Sequence, residues 1–279
     1  MTTRALVIRH SSFVIFPAAA FSLPMMKTLL LLLAAVLVSS GRTFADEANT
    51  LTAAEQAAGW KLLFDGKTAP GLRGLKSADF LKTGWKIEDG ALTCPKEVKQ
   101  MGKITGGDLA TVETFTDFEF RFEWRTGVAG NSGVLYLARA GFMQKAAGLE
   151  YQIIDDTHHP DGLKGGPIRR TGALYGILAP AEDKKYNMPP QWNESRIVVD
   201  GNHVEHWLNG AKVLEYTLGS PELQRAVTAS RARVAPGFGT KMKAPLVLLD
   251  EGDEIAFRNL KVRVITPPPP PGAAPAAAR

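Results

Sequence analysis

The stretch DFEFRFEWRT, residues 117–126, decides the fold. Phe118, Phe120, Phe122 and Trp124 alternate with Glu119, Arg121, Glu123 and Arg125. A repeat of two is the period of a β-strand, whose side chains point to opposite faces in turn. Aromatic residues on one face and charges on the other predict a strand with one side in a core and the other toward water.

Strand patterns continue on both sides of it. GWKIEDGALTC (84–94) reads as two strands joined at Asp89-Gly90, a dipeptide that suits a two-residue hairpin turn. NSGVLYLA (131–138), LEYQIID (149–155) and ALYGIL (173–178) read as short strands. Residues 193–218 read as three strands with turns at Asp200-Gly201 and Asn209-Gly210, and residues 245–265 as two more. The one helix expected inside the domain lies in SPELQRAV (220–227), with Ser220 as N-cap and Pro221 at the first helical position. Short strands at this spacing predict an all-β sandwich in a single domain, residues 59–265. Residues 46–58 read as a linker or helical lead-in. Residues 266–279 are rich in Pro and Ala and are expected to be a disordered tail.

The first 45 residues differ in kind. They hold Arg4, Arg9, Lys27 and Arg42 but no acid, and an apolar run from Leu29 to Val38 followed by the small residues Thr43 and Ala45. This is the layout of a secretory signal peptide, with cleavage expected after Ala45 and export to the periplasm or cell exterior. The run is shorter than the roughly 20 residues of a spanning helix. Residues 1–24 precede Met25 and Met26, so the start is a candidate misassignment. Without these four cations, 29 of the 33 Lys and Arg remain against 28 Asp and Glu, a net charge of +1. With no basic cluster, the composition excludes a nucleic-acid partner. Cys94 is the sole cysteine, so no internal disulfide supports the fold.

Several polar groups have two readings. Glu150 and Gln152 share a face of one strand, about 7 Å apart. They suit a general base beside a hydrogen-bonding amide, or merely a solvated edge. Asp155 and Asp156 are oxygen ligands of the kind calcium or magnesium takes, or turn formers in a loop. Asn131 and Ser132, between Gly130 and Gly133, could hold a ligand or make a bend. His206 sits mid-strand, as an acid, a base or a structural residue. Arg258 and Asn259 offer donors, or an internal salt bridge. His158 and His159 match no metal motif and read as loop residues. No phosphate loop, dinucleotide fingerprint, serine-nucleophile elbow or zinc-ligand set is present.

Taken in order, GWKLLFDGK (59–67), WKIEDGAL (85–92), GDLATVETFTDFEFRFEWR (107–125), GNSGVLY (130–136), GLEYQIIDD (148–156), GALYGILAP (172–180), WNESRIVVDGNHVEHWLNG (192–210) and EIAFRNLKVRVI (254–265) resemble the 3-keto-disaccharide hydrolase family. The resemblance implies a concanavalin-like jelly roll. It also implies cleavage of the glycosidic bond of a sugar whose C3 hydroxyl has been oxidised to a ketone. That substrate would be a glycoside or oligosaccharide supplied by a sugar 3-dehydrogenase, with no stable protein partner. On this basis Glu150, His206 and Arg258 are the expected catalytic residues. Glu123, Asn131, Gln152, Tyr175 and Asn259 are expected to bind substrate, Trp207 to stack on it, and Asp155 and Asp156 to be the ligands of any divalent cation. One departure stands out: similar sequences carry Asp-His-Gly before the last strand, where this chain has Asp250-Glu251-Gly252. A non-catalytic carbohydrate-binding module and an adhesion domain are the competing readings, because a jelly roll does not fix function.

Overall fold

A computed structural model describes residues 48–75, 84–96, 107–138, 148–230 and 238–266. The expected signal peptide and nearly all of the Pro/Ala tail lie outside the described residues. Among them run β1 (Lys61–Leu62), β2 (Leu72–Gly74), β3 (Lys86–Glu88), β4 (Ala91–Cys94), β5 (Leu109–Thr111), β6 (Phe118–Thr126), β7 (Asn131–Tyr136) and β8 (Leu149–Ile154). There follow β9 (Asn193–Asp200), β10 (His203–Leu208), β11 (Ala211–Thr217), β12 (Val247–Leu248) and β13 (Ile255–Val264). They form two antiparallel sheets packed as a jelly-roll sandwich. The larger has eight strands in the order β11-β10-β9-β6-β13-β4-β3, with β1 also on β13; the smaller runs β2-β5-β12-β7-β8.

The alternation in β6 sets the core. Phe118, Phe120, Phe122 and Trp124 are each at most 1% exposed. Burying side chains of this size contributes about 1.5–3 kcal/mol each. From the smaller sheet, Tyr151 of β8 meets Phe122 edge-on at 5.7 Å. A polar chain also crosses the interior. Trp124 Nε1 donates to Ser195 Oγ (2.8 Å), Ser195 to the Tyr151 hydroxyl (2.9 Å), and Tyr151 to the Trp207 carbonyl (3.1 Å). Each buried donor is thereby satisfied, which a core requires of polar groups.

The hairpins form where Asp-Gly and Asn-Gly predict them. Asp89 and Gly90 both take positive φ, at 50° and 71°, as do Asn209 and Gly210, at 48° and 81°. ALYGIL is a correction. It is a looped segment touching the sheet through isolated bridges, Leu174 to Tyr151 and to Leu178. Gly172 and Gly176, at φ 85° and 71°, turn the chain out of the extended conformation that a strand needs.

Helix content exceeds the expectation. The helix of SPELQRAV is α3 (Pro221–Ala229), with Ser220 Oγ accepting from Leu223 N at 3.1 Å. Two further short helices appear: α1 (Ala53–Ala57), closed by a Thr52–Glu55 capping box within the stretch read as a linker or helical lead-in, and the unexpected α2 (Pro160–Lys164), followed by a 3₁₀ turn at Pro167–Arg169. The lead-in that carries α1 is tied to the larger sheet. Asn49 exchanges hydrogen bonds with Asn259, and Lys261 Nζ pairs with Glu55 at 2.9 Å. No helix among the described residues is long and apolar enough to cross a membrane.

Candidate active site

The sandwich has two outer faces and one interior, and the sequence-derived candidates divide among all three. On β8, Tyr151 points into the core, so Glu150 and Gln152 point to the outer face of the smaller sheet. Opposite them, Gly133 of β7 pairs with Gln152, and Leu135 with Glu150. Gly133 is what lets the Glu150 carboxyl lie across the sheet. A Cβ there would stand 2.7 Å from Glu150 Oε1 and 3.1 Å from its Cγ. The Gln152 amide, with its nitrogen turned toward acceptors, donates to Glu150 Oε1 at 2.9 Å and to the Ser132 carbonyl at 3.2 Å. On its other side Gln152 meets the Asn131 amide at 3.1 Å.

A loop covers this patch. Tyr175 N donates to the Glu150 carbonyl at 3.1 Å, which pins the segment after the 3₁₀ turn to the edge of β8. The Tyr175 hydroxyl donates to Asp161 Oδ2 at 2.8 Å. Arg169 pairs with Asp161 Oδ1 and lies 5.5 Å from the Tyr175 ring. Asp161, Arg169 and Glu251 join the patch although sequence reasoning gave them no role in it. Asp161 and Arg169 lie on irregular backbone, where no periodicity marks a face. The signal for Glu251 was its place in the Asp-Glu-Gly run.

Burial, then the negative charges of Glu251, Asp161 and Asp108, push the Glu150 carboxyl up to about 8. Glu251 is raised as well, by desolvation and by Asp108, Asp250, Asp253 and Asp161. Glu150 therefore holds its proton at a pH where ordinary carboxyls have lost theirs. Coupled groups of this kind supply an acid and a base from one residue type. His159, read from sequence as a loop residue, caps α2 and reaches Asp253 at 3.7 Å.

The remaining candidates lie elsewhere. His206 is fully buried between the sheets. Its Nδ1 donates to the Gly172 carbonyl (3.0 Å), which leaves Nε2 to accept from the Tyr136 hydroxyl (2.6 Å). Desolvation pulls it down to about 4, so it is neutral at pH 7. The expected pairing of His206 with Glu150 is corrected on geometry, since the core side and outer side of a sheet do not meet. Glu123, Arg258 and Asn259 sit on the outer face of the larger sheet, on the far side of the core. There Arg258 Nε donates to Glu123 Oε2 (2.7 Å) and Asn259 Nδ2 to Glu123 Oε1 (2.6 Å). They form an internal ion pair and do not meet Glu150. Trp207 lies on that same far face, beneath Arg196.

Asp155 and Asp156 staple the loop that follows β8. Asp155 is fully buried and accepts from Ala129 N (3.0 Å), from Thr157 N (3.0 Å) and Oγ1 (2.7 Å), and from His158 N (3.2 Å) and Nδ1 (2.8 Å). Burial pushes its carboxyl up, but these hydrogen bonds outweigh it and hold it down to about 2. Asp156 accepts from Thr171 N at 2.8 Å and pairs with Lys184. Oxygens committed to protein donors are poor cation ligands, so the expected cation reading of this pair is corrected. Among the described residues, His203, Glu205 and Glu215 do bring ligand atoms within 4.8 Å of one another. The Lys212 ammonium already lies between those carboxylates, 3.2 Å from Glu205 and 2.5 Å from Glu215.

The sequence model of the 3-keto-α-glucoside-1,2-lyase-like domain matches residues 59–263. The chain belongs to this family. A relative named 3-keto-disaccharide hydrolase, from Bacteroides thetaiotaomicron, is 31% identical over 246 residues, spanning 79% of this chain and 83% of its own. Two solved structures from Parabacteroides distasonis, each described as a glycosyl hydrolase, share the fold. One has a TM-score of 0.70 at 31% identity over 79% of this chain and 100% of its own. The other scores 0.57 at 27% identity over 74% and 99%. For this member of the lyase-like family, the likeness supports a glycoside-hydrolase-like function.

Proposed function

We propose that this protein is exported and cleaves 3-keto-glycosides by removal of the C2 proton. The observation that carries the reading is Glu150, a carboxyl laid over Gly133 and raised to about 8 among other acids. A C3 ketone acidifies C2–H, and a general base works best when its pKa lies near the working pH. Glu150 in its ionised form takes the C2 proton. The C–H electrons form the C2=C3 enolate, and the negative charge rests on O3. The enolate then re-forms the ketone, a C1=C2 double bond forms, and the bond from C1 to the glycosidic oxygen breaks. Glu251, whose carboxyl its acid neighbours raise, is the group proposed to give that oxygen its proton. Water adds to C1 of the enone and a proton returns to C2, which completes net hydrolysis.

Each remaining group has a task. Gln152 fixes the Glu150 carboxyl by donating to Oε1. Arg169, half-exposed beside Tyr175, stabilises the enolate charge in place of Arg258, the arginine expected to be catalytic. Tyr175 and Asn131 contact the sugar. The route needs no oxocarbenium ion, and so no pair of carboxyls at the fixed spacing of ordinary glycosidases.

Incubation with 3-keto-trehalose and 3-keto-lactose, beside the unoxidised sugars, tests this. Release of 3-keto-glucose from the keto forms alone is expected. Equal cleavage of the unoxidised sugars, or no turnover of the keto forms, overturns the reading.

A further inference from the structure

The outer face of the larger sheet carries a second polar assembly, on the opposite side of the core from Glu150. Its centre is a cavity of about 210 Å³ lined by Arg121, Glu194, Ser195, Arg196, Trp207 and Gly210. That is below the ~300–1,000 Å³ of sites enclosing a whole drug-sized ligand, so it suits one ring or one acidic group. Arg121 of β6 and Arg196 of β9 stand directly opposite each other in the sheet, a like-charge pairing that costs stability by itself. One buried carboxylate, Glu119, holds them together. It accepts from Arg121 (3.2 Å), from Arg196 (3.1 Å) and from Arg263 Nε (2.8 Å). The two guanidiniums that line the cavity, Arg121 and Arg196, thus share this one carboxylate, with Glu194 on the rim.

The cations are also set in place by indoles. Arg196 lies 3.9 Å from the Trp207 ring, while Arg121 and Arg263 flank Trp60 at 4.5 and 5.2 Å. Trp207 is fixed in turn, since its Nε1 donates to Glu205 at 2.8 Å. A guanidinium fork held this way meets a carboxylate or sulfate with little further loss of side-chain freedom. An indole at the same cavity offers an apolar surface to a sugar ring. The facing guanidiniums of Arg121 and Arg196 select the anion, and the indole selects the ring that bears it.

We propose that this cavity binds an acidic sugar residue, a uronate or a sulfated hexose, as a site separate from the Glu150 patch. Calorimetric titration of the full chain tests it, with oligogalacturonate, a chondroitin sulfate oligosaccharide, a neutral cello-oligosaccharide and sodium sulfate at matched ionic strength. At least one acidic oligosaccharide is expected to bind at least tenfold more tightly than the neutral one and than sulfate alone. The better of the two acids tells carboxylate from sulfate. Trp207→Ala and Arg196→Lys are each expected to weaken that binding about tenfold, with Glu150→Gln binding as the wild type. Thermal melting checks that each variant folds, and Arg196→Lys keeps the charge should Trp207→Ala not fold. Acidic and neutral sugars bound alike, sulfate alone bound as tightly, binding unmoved in folded Arg196→Lys, or binding lost in Glu150→Gln would each overturn the proposal.

Discussion

Glu119 and Glu150 sit on opposite outer faces of one sandwich, and their carboxyls shift in opposite directions. Glu119 is only 2% exposed, yet it is held below the ordinary carboxylate range. Desolvation raises it, but hydrogen bonds and charge from Arg263, Arg121 and Arg196 together outweigh that. Glu150 meets desolvation together with Glu251, Asp161 and Asp108, and rises to about 8. Burial alone therefore does not decide the ionisation state of an acid; the sign of its neighbours does. The larger sheet's face sets Glu119 among cations, and the smaller sheet's face sets Glu150 among acids.

The largest expected effect comes from removing the poised acid. Glu150→Gln should lower kcat/KM on a 3-keto-disaccharide by about 10²–10⁴-fold. It should also change the pH dependence of stability. The folded state holds the Glu150 proton more tightly than the unfolded chain does. Wild-type stability attributable to this group is therefore full below about pH 4.5 and lost as pH rises toward about 8. Thermal melts across that window should slope downward in the wild type and less so in Glu150→Gln. An unchanged turnover in the variant would break the comparison at its source.

The paired acid should behave in the contrary way. Glu119→Gln strands three guanidiniums that keep partial contact with water, so a loss of about 2–3 kcal/mol in urea unfolding is expected. The catalytic constant of the folded variant should stay near wild type. A Glu119 variant with normal stability and lost turnover would reverse the roles of the two faces.

His206 sharpens the comparison from the interior. It is neutral when folded, with a pKa pulled down to about 4 from an ordinary 6.5. The stability it allows is present above pH 6.5 and falls as acidification proceeds toward pH 4, because the unfolded state takes up the proton first. His206→Gln should cost about 2 kcal/mol at pH 7 and flatten that acid slope, while the folded variant retains activity. Equilibrium unfolding at pH 5 and 7 distinguishes this from a catalytic role, which would show as lost turnover in a stable variant. The smallest effect belongs to Gly133→Ala. The added methyl displaces the end of a flexible side chain, so about a tenfold fall in kcat/KM is expected with little change in Tm.

Much of this was legible in the residues. The alternation of β6 marks a half-buried strand, and the Asp-Gly and Asn-Gly turns locate the hairpins, because both are local properties of the backbone. Parity along β8 also puts Glu150 and Gln152 on one polar face. It could have corrected the reading of His206, which shares its parity in β10 with the apolar Val204 and Leu208. What parity cannot reveal is which sheet a strand joins. Glu123 and Glu150 are both outward-facing acids on strands. They lie on opposite sides of the molecule because β6 pairs with β9 and β13, while β8 pairs with β7. Asp161, Arg169 and Tyr175 come from irregular backbone, and only the tertiary fold brings them to Glu150.

The contrast between the two faces rests on Glu150 keeping its proton because it is buried among acids, whereas Glu119 is held by cations. Carboxyl carbon NMR of the full chain, with Glu150 assigned by substitution, reads this directly. Titration of Glu150 near pH 8 is expected, with a shift toward lower pH in Glu251→Gln. A Glu150 that titrates near 4 to 5, in the ordinary carboxylate range, and is unmoved by Glu251→Gln would contradict the account.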